Sequence, residues 1–391
     1  MSFIGIDIGA SSTRFVSENG KINVLPNNMV LVELDERIDL MPYAGNDEAE
    51  TLRNALDVTI TKTNGNSEYF PVRALIGSMA ERYSPNNIRP TVMQNKHRQR
   101  VNYVSALVAT AFNKLLYGLN DGIHMYIALP PMEVATAKDY VTEQLSGSYE
   151  VVFNKLDRKV NINIVSVACK EESLMALLAF FFDMHGSLRE EAKAYSRGNV
   201  LSIDIGASTT DLVVVKDMRY LEKSAQTYKT GGNVARDIVA NDIRAKFGYD
   251  PTDEETEFVM AEGRLPMGNS YVDMKDSVDK AKRELAAQIV NNIQSYFRLV
   301  NIPIQSIRAI IVSGGGSMRS EYADTAGKSV VVSKPISEFI TEELHKVCNT
   351  IDVVPFSHNP RQANAIGLFI VASLDQYKRQ RQNTQQPAQA I

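Results

Sequence analysis

The sequence predicts an α/β protein built from two related domains that face a common cleft, and three observations predict it. The octapeptide IDIGASST at residues 6–13 returns as IDIGASTT at 203–210, about half a chain later, with Ser12 against Thr209 as the single difference. Apolar runs flank each copy, residues 3–6 and 15–16 around the first and 200–203 and 212–215 around the second, so both read as strand, glycine-containing turn, strand. Strand-like and helix-like segments then alternate through each half.

After the first copy, residues 21–100 are rich in Asn, charge and short alternating segments such as 55–61, which reads as a small variable lobe. From Tyr103 to Leu116 the apolar positions Val104, Leu107, Val108, Ala111 and Leu115 fall on one helical face. A buried strand at 125–129 is stopped by Pro130 and Pro131. Residues 170–182 predict a helix, because 173–182 contain no Gly, Pro or β-branched side chain. In the second half, 274–300 predicts a long helix with Val278, Lys282, Leu285, Ile289, Ile293, Tyr296 and Val300 at steps of three or four. A strand at 308–312 runs into Gly314, Gly315 and Gly316, and a last strand at 351–355 precedes a last helix at 361–377. The resulting boundaries are 1–168 with 363–391 for the first domain, its lobe at about 21–100 included, and 169–362 for the second, with a smaller lobe at about 218–302. Residues 378–391, mostly Gln, Arg and Asn, read as a disordered tail.

Composition narrows the function classes. At 391 residues, two or three domains of roughly 150 residues fit the length. With 44% hydrophobic and 23% charged residues, disordered, collagenous and coiled-coil chains are excluded. Lys plus Arg number 42 against 46 Asp plus Glu, a net charge of −4 that poorly suits sequence-independent grip on nucleic acid. Any DNA connection is therefore expected to run through an adaptor. The two cysteines, Cys169 and Cys348, are too few for a disulfide framework or a four-ligand zinc site and read as buried thiols. Residues 3–8 are apolar but lack the basic start and cleavage site of a signal peptide. The longest apolar run, 174–182, is far short of the about 20 residues a membrane helix needs. The expectation is a soluble, cytoplasmic protein without a membrane partner.

A strand ending in Asp, followed by x-Gly and small hydroxyl residues, suits a phosphate site. Glycine lets the backbone approach a ligand closely, and turn N–H groups with Ser and Thr hydroxyls donate to phosphate oxygens. An acid at the strand end would repel phosphate unless Mg²⁺ lies between them, and magnesium uses few carboxylates and keeps most of its waters. Asp7 and Asp204 are the metal candidates on this reading. Asp-x-Gly alone is an ordinary turn; two near-identical octapeptides weaken that alternative. The other phosphate-loop candidate, Ala326, Gly327, Lys328 and Ser329, has Tyr322 in place of the first Gly of a Walker A loop, and 330–332 reads as a strand instead of the required helix.

With these residues the sequence resembles the actin, sugar-kinase and seventy-kilodalton heat-shock chaperone superfamily of ATPases. The resemblance implies duplicated actin-like, ribonuclease H-like domains around a central nucleotide cleft, with ATP and Mg²⁺ as cofactors and GTP left open. It runs from residue 5 to about 370. The first phosphate loop matches Asp7, Gly9, Ala10, Ser11, Ser12 and Thr13, and the second matches Asp204, Gly206, Ala207, Ser208, Thr209 and Asp211. Glu172, opening the first connecting helix, stands where actin-like proteins carry the residue that orients the attacking water; Asp204 and Asp211 join it as catalytic candidates. Thr230, Gly231, Gly232 and Asn233 resemble a Gly-Gly turn on the nucleotide wall. Asp279, Lys282 and Arg283 resemble the chaperones' helix against adenine, and Ser313, Gly314, Gly315, Gly316 and Ser317 the adenosine motif. Residues 363–367 resemble the second connecting helix. Each element also has a plainer role: Glu172 favours a helix start on dipole grounds, and Lys282 and Arg283 suit a solvated face.

Within the superfamily, the short polar stretch that follows the last helix is not expected to hold a chaperone's peptide-binding domain, and no general-base Asp of a sugar kinase is found. The segment IALPPMEVATAKDYV at 127–141 is similar to plasmid-segregating bacterial actins of the ParM type. That implies an ATP hydrolase that forms dynamic filaments with itself, disassembles after hydrolysis, and drives plasmid DNA segregation through a DNA-binding adaptor. A small-molecule, sugar-type kinase is the alternative, on the opening GIDIGASSTR at 5–14. Lys96, His97, Arg98 and Arg100 form a basic run that is a candidate subunit contact, a solvated helix face being the commoner role.

Overall fold

The computed structural model describes residues 2–9, 11–65, 67–84, 95–221, 223–324 and 327–385. The chain divides into two compact units, one of residues 1–175, 182–187 and 364–391, the other of 176–181 and 188–363. In the first unit, β1 (Ser2–Ile8), β2 (Ser12–Ser17), β3 (Ile22–Pro26), β4 (Met29–Val32), β5 (Asp57–Lys62), β6 (Val72–Ile76), β7 (Ile123–Leu129), β8 (Gly147–Phe153) and β9 (Arg158–Glu171) form one sheet, ordered β3-β2-β1-β7-β9-β8-β5-β6-β4. Its helices are α1 (Glu48–Asn54), α2 (Ser78–Tyr83), α3 (Asn95–Tyr117) and α4 (Pro131–Leu145). The chain passes into the second unit within α5 (Glu172–Phe181).

The second unit repeats the plan. β10 (Asn199–Ile205), β11 (Thr210–Lys216), β12 (Arg219–Tyr220) and β13 (Gln226–Tyr228) precede α6 (Gly232–Phe247), α7 (Asp253–Glu262), the hairpin of β14 (Arg264–Met267) and β15 (Ser270–Asp273), and the long α8 (Lys275–Val300). Next come β16 (Ile307–Ser313), the hairpin of β17 (Ser320–Ala323) and β18 (Ser329–Ser333), α9 (Ile336–His345) and β19 (Asp352–Pro355). The last helix, α10 (Ala363–Gln385), belongs almost wholly to the first unit. The main sheet order is β12-β11-β10-β16-β19, with β13 also on β11. In each unit a hairpin leads into two parallel neighbours: β2-β1-β7-β9 in the first and β11-β10-β16-β19 in the second. The repeated octapeptide is thus the same hairpin tip in a repeated sheet.

Burial explains why β1 and β10 are runs of apolar residues without strict alternation. A central parallel strand is covered on both faces, and Ile4, Ile6, Leu201 and Ile203 are all fully buried. The predicted stripe on α8 is the core face of the second unit, with Val278, Leu285, Ile289, Ile293 and Tyr296 buried. Among the described residues no helix is long and apolar enough to cross a membrane.

The structure moves three expected boundaries. Lys170 and Glu171 are not helical, because they complete β9 by pairing with Ala128 and Leu129 of β7. Residues 21–84 of the expected lobe supply β3 to β6 of the main sheet, β5 joining it through β8; residues 85–94 lie outside the described residues, as do the side chains of Lys96, His97, Arg98 and Arg100. The expected tail is helical through Gln385, since Gln, Arg and Lys are good helix formers that extend α10 once its apolar start is packed. Residues 386–391 lie outside the described set.

Two glycines join β1, α10 and α5. A Cβ on Gly5 would lie 2.8 Å from Leu368 Cβ, and one on Gly367 would lie 2.0 Å from Met175 O. In an exposed helix, Gly→Ala stabilises by up to about 1 kcal/mol. At Gly367 the contact reverses the sign: Gly367→Ala is expected to destabilise by about 2 kcal/mol or more, measured by urea unfolding followed by circular dichroism.

Candidate functional site

In the first unit the predicted residues gather at the carboxyl ends of the parallel strands. Asp7 of β1, Ala128 of β7 and Lys170 of β9 stand in one row across the sheet. Glu172, two residues past Lys170 at the start of α5, therefore leaves the same edge as the Asp7 hairpin tip, the edge at which open α/β sheets bind ligands. At the tip, Gly9 N–H donates to Ser12 O at 3.0 Å. Ser11 and Ser12 line the turn, and the buried Thr13 hydroxyl has no hydrogen-bond partner among the described residues. Ala10 lies outside the described residues.

Sequence reading missed the cation here. Arg14 is the cross-strand partner of Asp7, with Nη1 3.9 Å from Asp7 Oδ2 and both side chains largely buried. The signal was available one residue beyond the repeat, where the first copy continues with Arg14 and the second with Asp211.

The second unit brings three predicted motifs together. Asp204 and Asp211 are directly paired across the hairpin, so their side chains share a face, and both are buried. Asp211 is held by hydroxyls: Thr227 Oγ1 donates to Oδ1 at 2.5 Å and Thr209 Oγ1 to Oδ2 at 3.3 Å. Gly231 packs on the tip so closely that a Cβ would lie 2.6 Å from Ala207 O. Asn233 Nδ2 donates to Ser208 Oγ at 3.3 Å. From β16, Gly314 at φ +88° closes on Asp204, where a Cβ would lie 2.2 Å from Oδ1; Gly316 abuts Ile205. Ser317 Oγ turns inward to donate to Gly314 O at 2.7 Å. Arg361, also missed in the sequence, flanks Gly315, and Gly314 N–H donates to Pro360 O at 3.2 Å.

The structure gives Lys282 and Arg283 other surroundings. Lys282 is buried, not solvated, and its Nζ donates to Ser320 Oγ at 3.0 Å and Lys334 O at 2.9 Å, tying α8 to β17 and the end of β18. Arg283 Nη1 donates to Glu342 Oε2 of α9 at 2.6 Å, with its guanidinium 5.1 Å from the Phe339 ring centroid. Cys348 is buried as expected but Cys169 only partly so, and desolvation pushes the Cys169 thiol up to about 11, which favours its protonated form at neutral pH.

The donor set fits a magnesium–phosphate group. Glycine cradles that any Cβ would fill line the second tip. Among the described residues no group of three or more His, Cys, Asp or Glu could hold a metal, but Mg²⁺ needs only one or two carboxylates plus water.

Residues 202–321, from β10 to β17, match the family model described as archaeal actin homologue MreB-like, C-terminal. Solved structures similar along nearly the whole chain include actin-like protein Alp7A, with 17% identity, 98% of each chain covered and a TM-score of 0.71. The chain has the actin-like fold. Actin-like neighbours also include a 15-stranded ParM filament from Clostridium botulinum, at 18% identity, 95% and 99% coverage and a TM-score of 0.63. A third is Ta0583, an archaeal actin homolog solved in complex with ADP, at 16% identity, 96% and 100% coverage and a TM-score of 0.64. Comparison with curated proteins finds no match. The resemblance seen in the repeated tips is thus borne out at the level of fold.

Lys282 makes stability depend on pH. Burial favours its neutral amine and lowers its pKa from 10.5 to about 8, against the smaller opposing pull of Asp279. Between those values the unfolded chain holds a proton that the folded chain lacks, so the penalty is full below pH 8 and fades as pH rises towards 10.5. The stability difference between wild type and Lys282→Met should therefore shift by about 3 kcal/mol in favour of wild type across that window, as read by urea unfolding at pH 7.5 and 10.5.

Proposed function

We propose that this actin-like chain is a cytoplasmic ATPase that polymerises with Mg-ATP and disassembles after hydrolysis, and that it moves plasmid DNA through a DNA-binding adaptor. The observation that carries this reading is the same hairpin tip at the carboxyl edge of both sheets, with different charges behind it. Asp7 is balanced by Arg14, whereas Asp204 and Asp211 are two acids on one face. An Arg beside a donor-rich turn suits phosphate oxygens, and a pair of acids suits a hydrated Mg²⁺. Taken unit by unit, the second tip suits Mg²⁺ and the first suits phosphate, with Asp7 orienting Arg14.

Glu172 begins a helix at the same sheet edge as the first tip and holds the water for in-line attack; the amides and Arg14 bear the charge on the transferred group. Mg²⁺ supplies charge neutralisation when bound. The filament reading is supported by the likeness to a ParM filament over nearly the whole chain. A head-to-tail contact whose rotation does not close into a ring grows a polymer.

High-speed pelleting with Mg-ATP, Mg-GTP, ADP and no nucleotide, followed by electron microscopy, tests the whole reading. Sedimentable filaments are expected with Mg-ATP; none at tens of micromolar protein would count against polymerisation, and ATP turnover stimulated by a sugar or polyol would favour the kinase alternative. Glu172→Ala should slow phosphate release while filaments still form, and equal hydrolysis by wild type and variant would remove Glu172 from its role. Arg14→Ala should weaken ATP about tenfold or more even without Mg²⁺, as expected for a lost charge-assisted hydrogen bond. Asp204→Ala should act chiefly by weakening the Mg²⁺ dependence, and calorimetric titration with and without EDTA separates the two.

A further inference from the structure

The two hairpin tips meet one steric and electrostatic problem in two ways. In each, the first glycine donates back across the turn, Gly9 N–H to Ser12 O at 3.0 Å and Gly206 N–H to Thr209 O at 2.9 Å. The carbonyl of that glycine is held from outside the hairpin in both. In the second tip the donor is Gly232 N–H at 2.9 Å, and the next carbonyl, Ala207 O, takes Asn233 N–H at 2.8 Å, so the start of α6 does the holding. In the first tip a single residue holds two carbonyls, the second of them one position further along than in the other tip: Asn27 Nδ2 donates to Gly9 O at 2.7 Å and Asn27 N–H to Ser11 O at 3.0 Å.

A turn carbonyl that swings towards a phosphate repels it. Held outward, it instead sets the adjoining amide: the peptide is planar, so fixing Ser11 O on one side fixes Ser12 N–H on the other. We propose that Asn27 is the positioning residue of the first phosphate loop, holding two carbonyls away so that the loop presents amides to the β- and γ-phosphates of a nucleotide. This deepens the phosphate-binding reading above and rests on it.

The amide group of Asn27 is itself oriented. Gly9 O only accepts, so it must face Nδ2, and Ser105 Oγ on α3 then donates to Oδ1. Asn27 and Ser105 are both buried, 2% and 5% exposed, which leaves water little access to replace either bond. The helix α3 thereby sets the conformation of a loop far from it in sequence.

The test is affinity for Mg-ATP, Mg-ADP and adenosine, measured by competition on the full chain, together with the thermal midpoint without ligand. Asn27→Asp keeps the volume and the acceptor for Ser105 but turns the Gly9 donor into an acceptor. Its affinity for ATP and ADP should fall about tenfold, with adenosine changed by less than about twofold. Ser105→Ala keeps the donor and frees the amide to rotate, so a smaller loss in the same direction is expected, and it decides the matter if Asn27→Asp fails to fold. Equal losses for adenosine and ATP would mark a merely structural role and overturn the proposal, as would unchanged affinities in both variants while wild type binds. Failure of wild type to bind ATP or ADP would overturn the phosphate reading and this proposal together.

Discussion

Lack of room around the hairpin tips is the constraint on which the candidate site depends. Gly314 and Gly231 bring backbone so close to Asp204 and Ala207 that a single methyl group would collide. Because no side chain intervenes, hydrogen bonds between backbones, such as Gly232 N–H to Gly206 O, can fix the second tip. A loop built this way keeps its donors in place before any ligand arrives, which is the economical arrangement for binding a highly charged group, since little ordering remains to be done on binding.

The same sheet plan occurs twice with different chemistry behind it. One hairpin places Arg14 opposite Asp7, the other places Asp211 opposite Asp204. Direct cross-strand pairing puts each partner on the face of its aspartate, so a change of one residue converts an acid paired with a cation into a pair of buried acids. Thr227 and Thr209 donate to Asp211 and so satisfy the oxygens of a buried acid that has another acid beside it. The sheet plan is shared, and single residues at the matched positions give each tip its own charge.

Much of the fold was legible in the sequence because it rests on local patterns. The repeat, the apolar runs of β1 and β10 and the period of α8 report burial directly, and burial is what the strands and the helix are for. Element ends were less legible: Lys170 and Glu171 carry no strand signal of their own and are extended only because β7 lies beside them. Lys282 shows the limit more sharply. Its position in the apolar stripe of α8 pointed inwards, its charge pointed outwards, and the acceptors that reconcile the two, Ser320 and Lys334 O, come from segments remote in the chain.

By itself the sequence determined the duplicated α/β plan and the identity of the two tips, because hydrophobic period and glycine placement are properties of neighbouring residues. The tertiary structure alone decided what stands behind each tip: Asn27 and Ser105 holding the first, the start of α6 holding the second, Gly314 pressed against Asp204. Those contacts join residues tens to more than a hundred positions apart, and no periodicity records which distant donor a carbonyl will find once the chain has closed on itself.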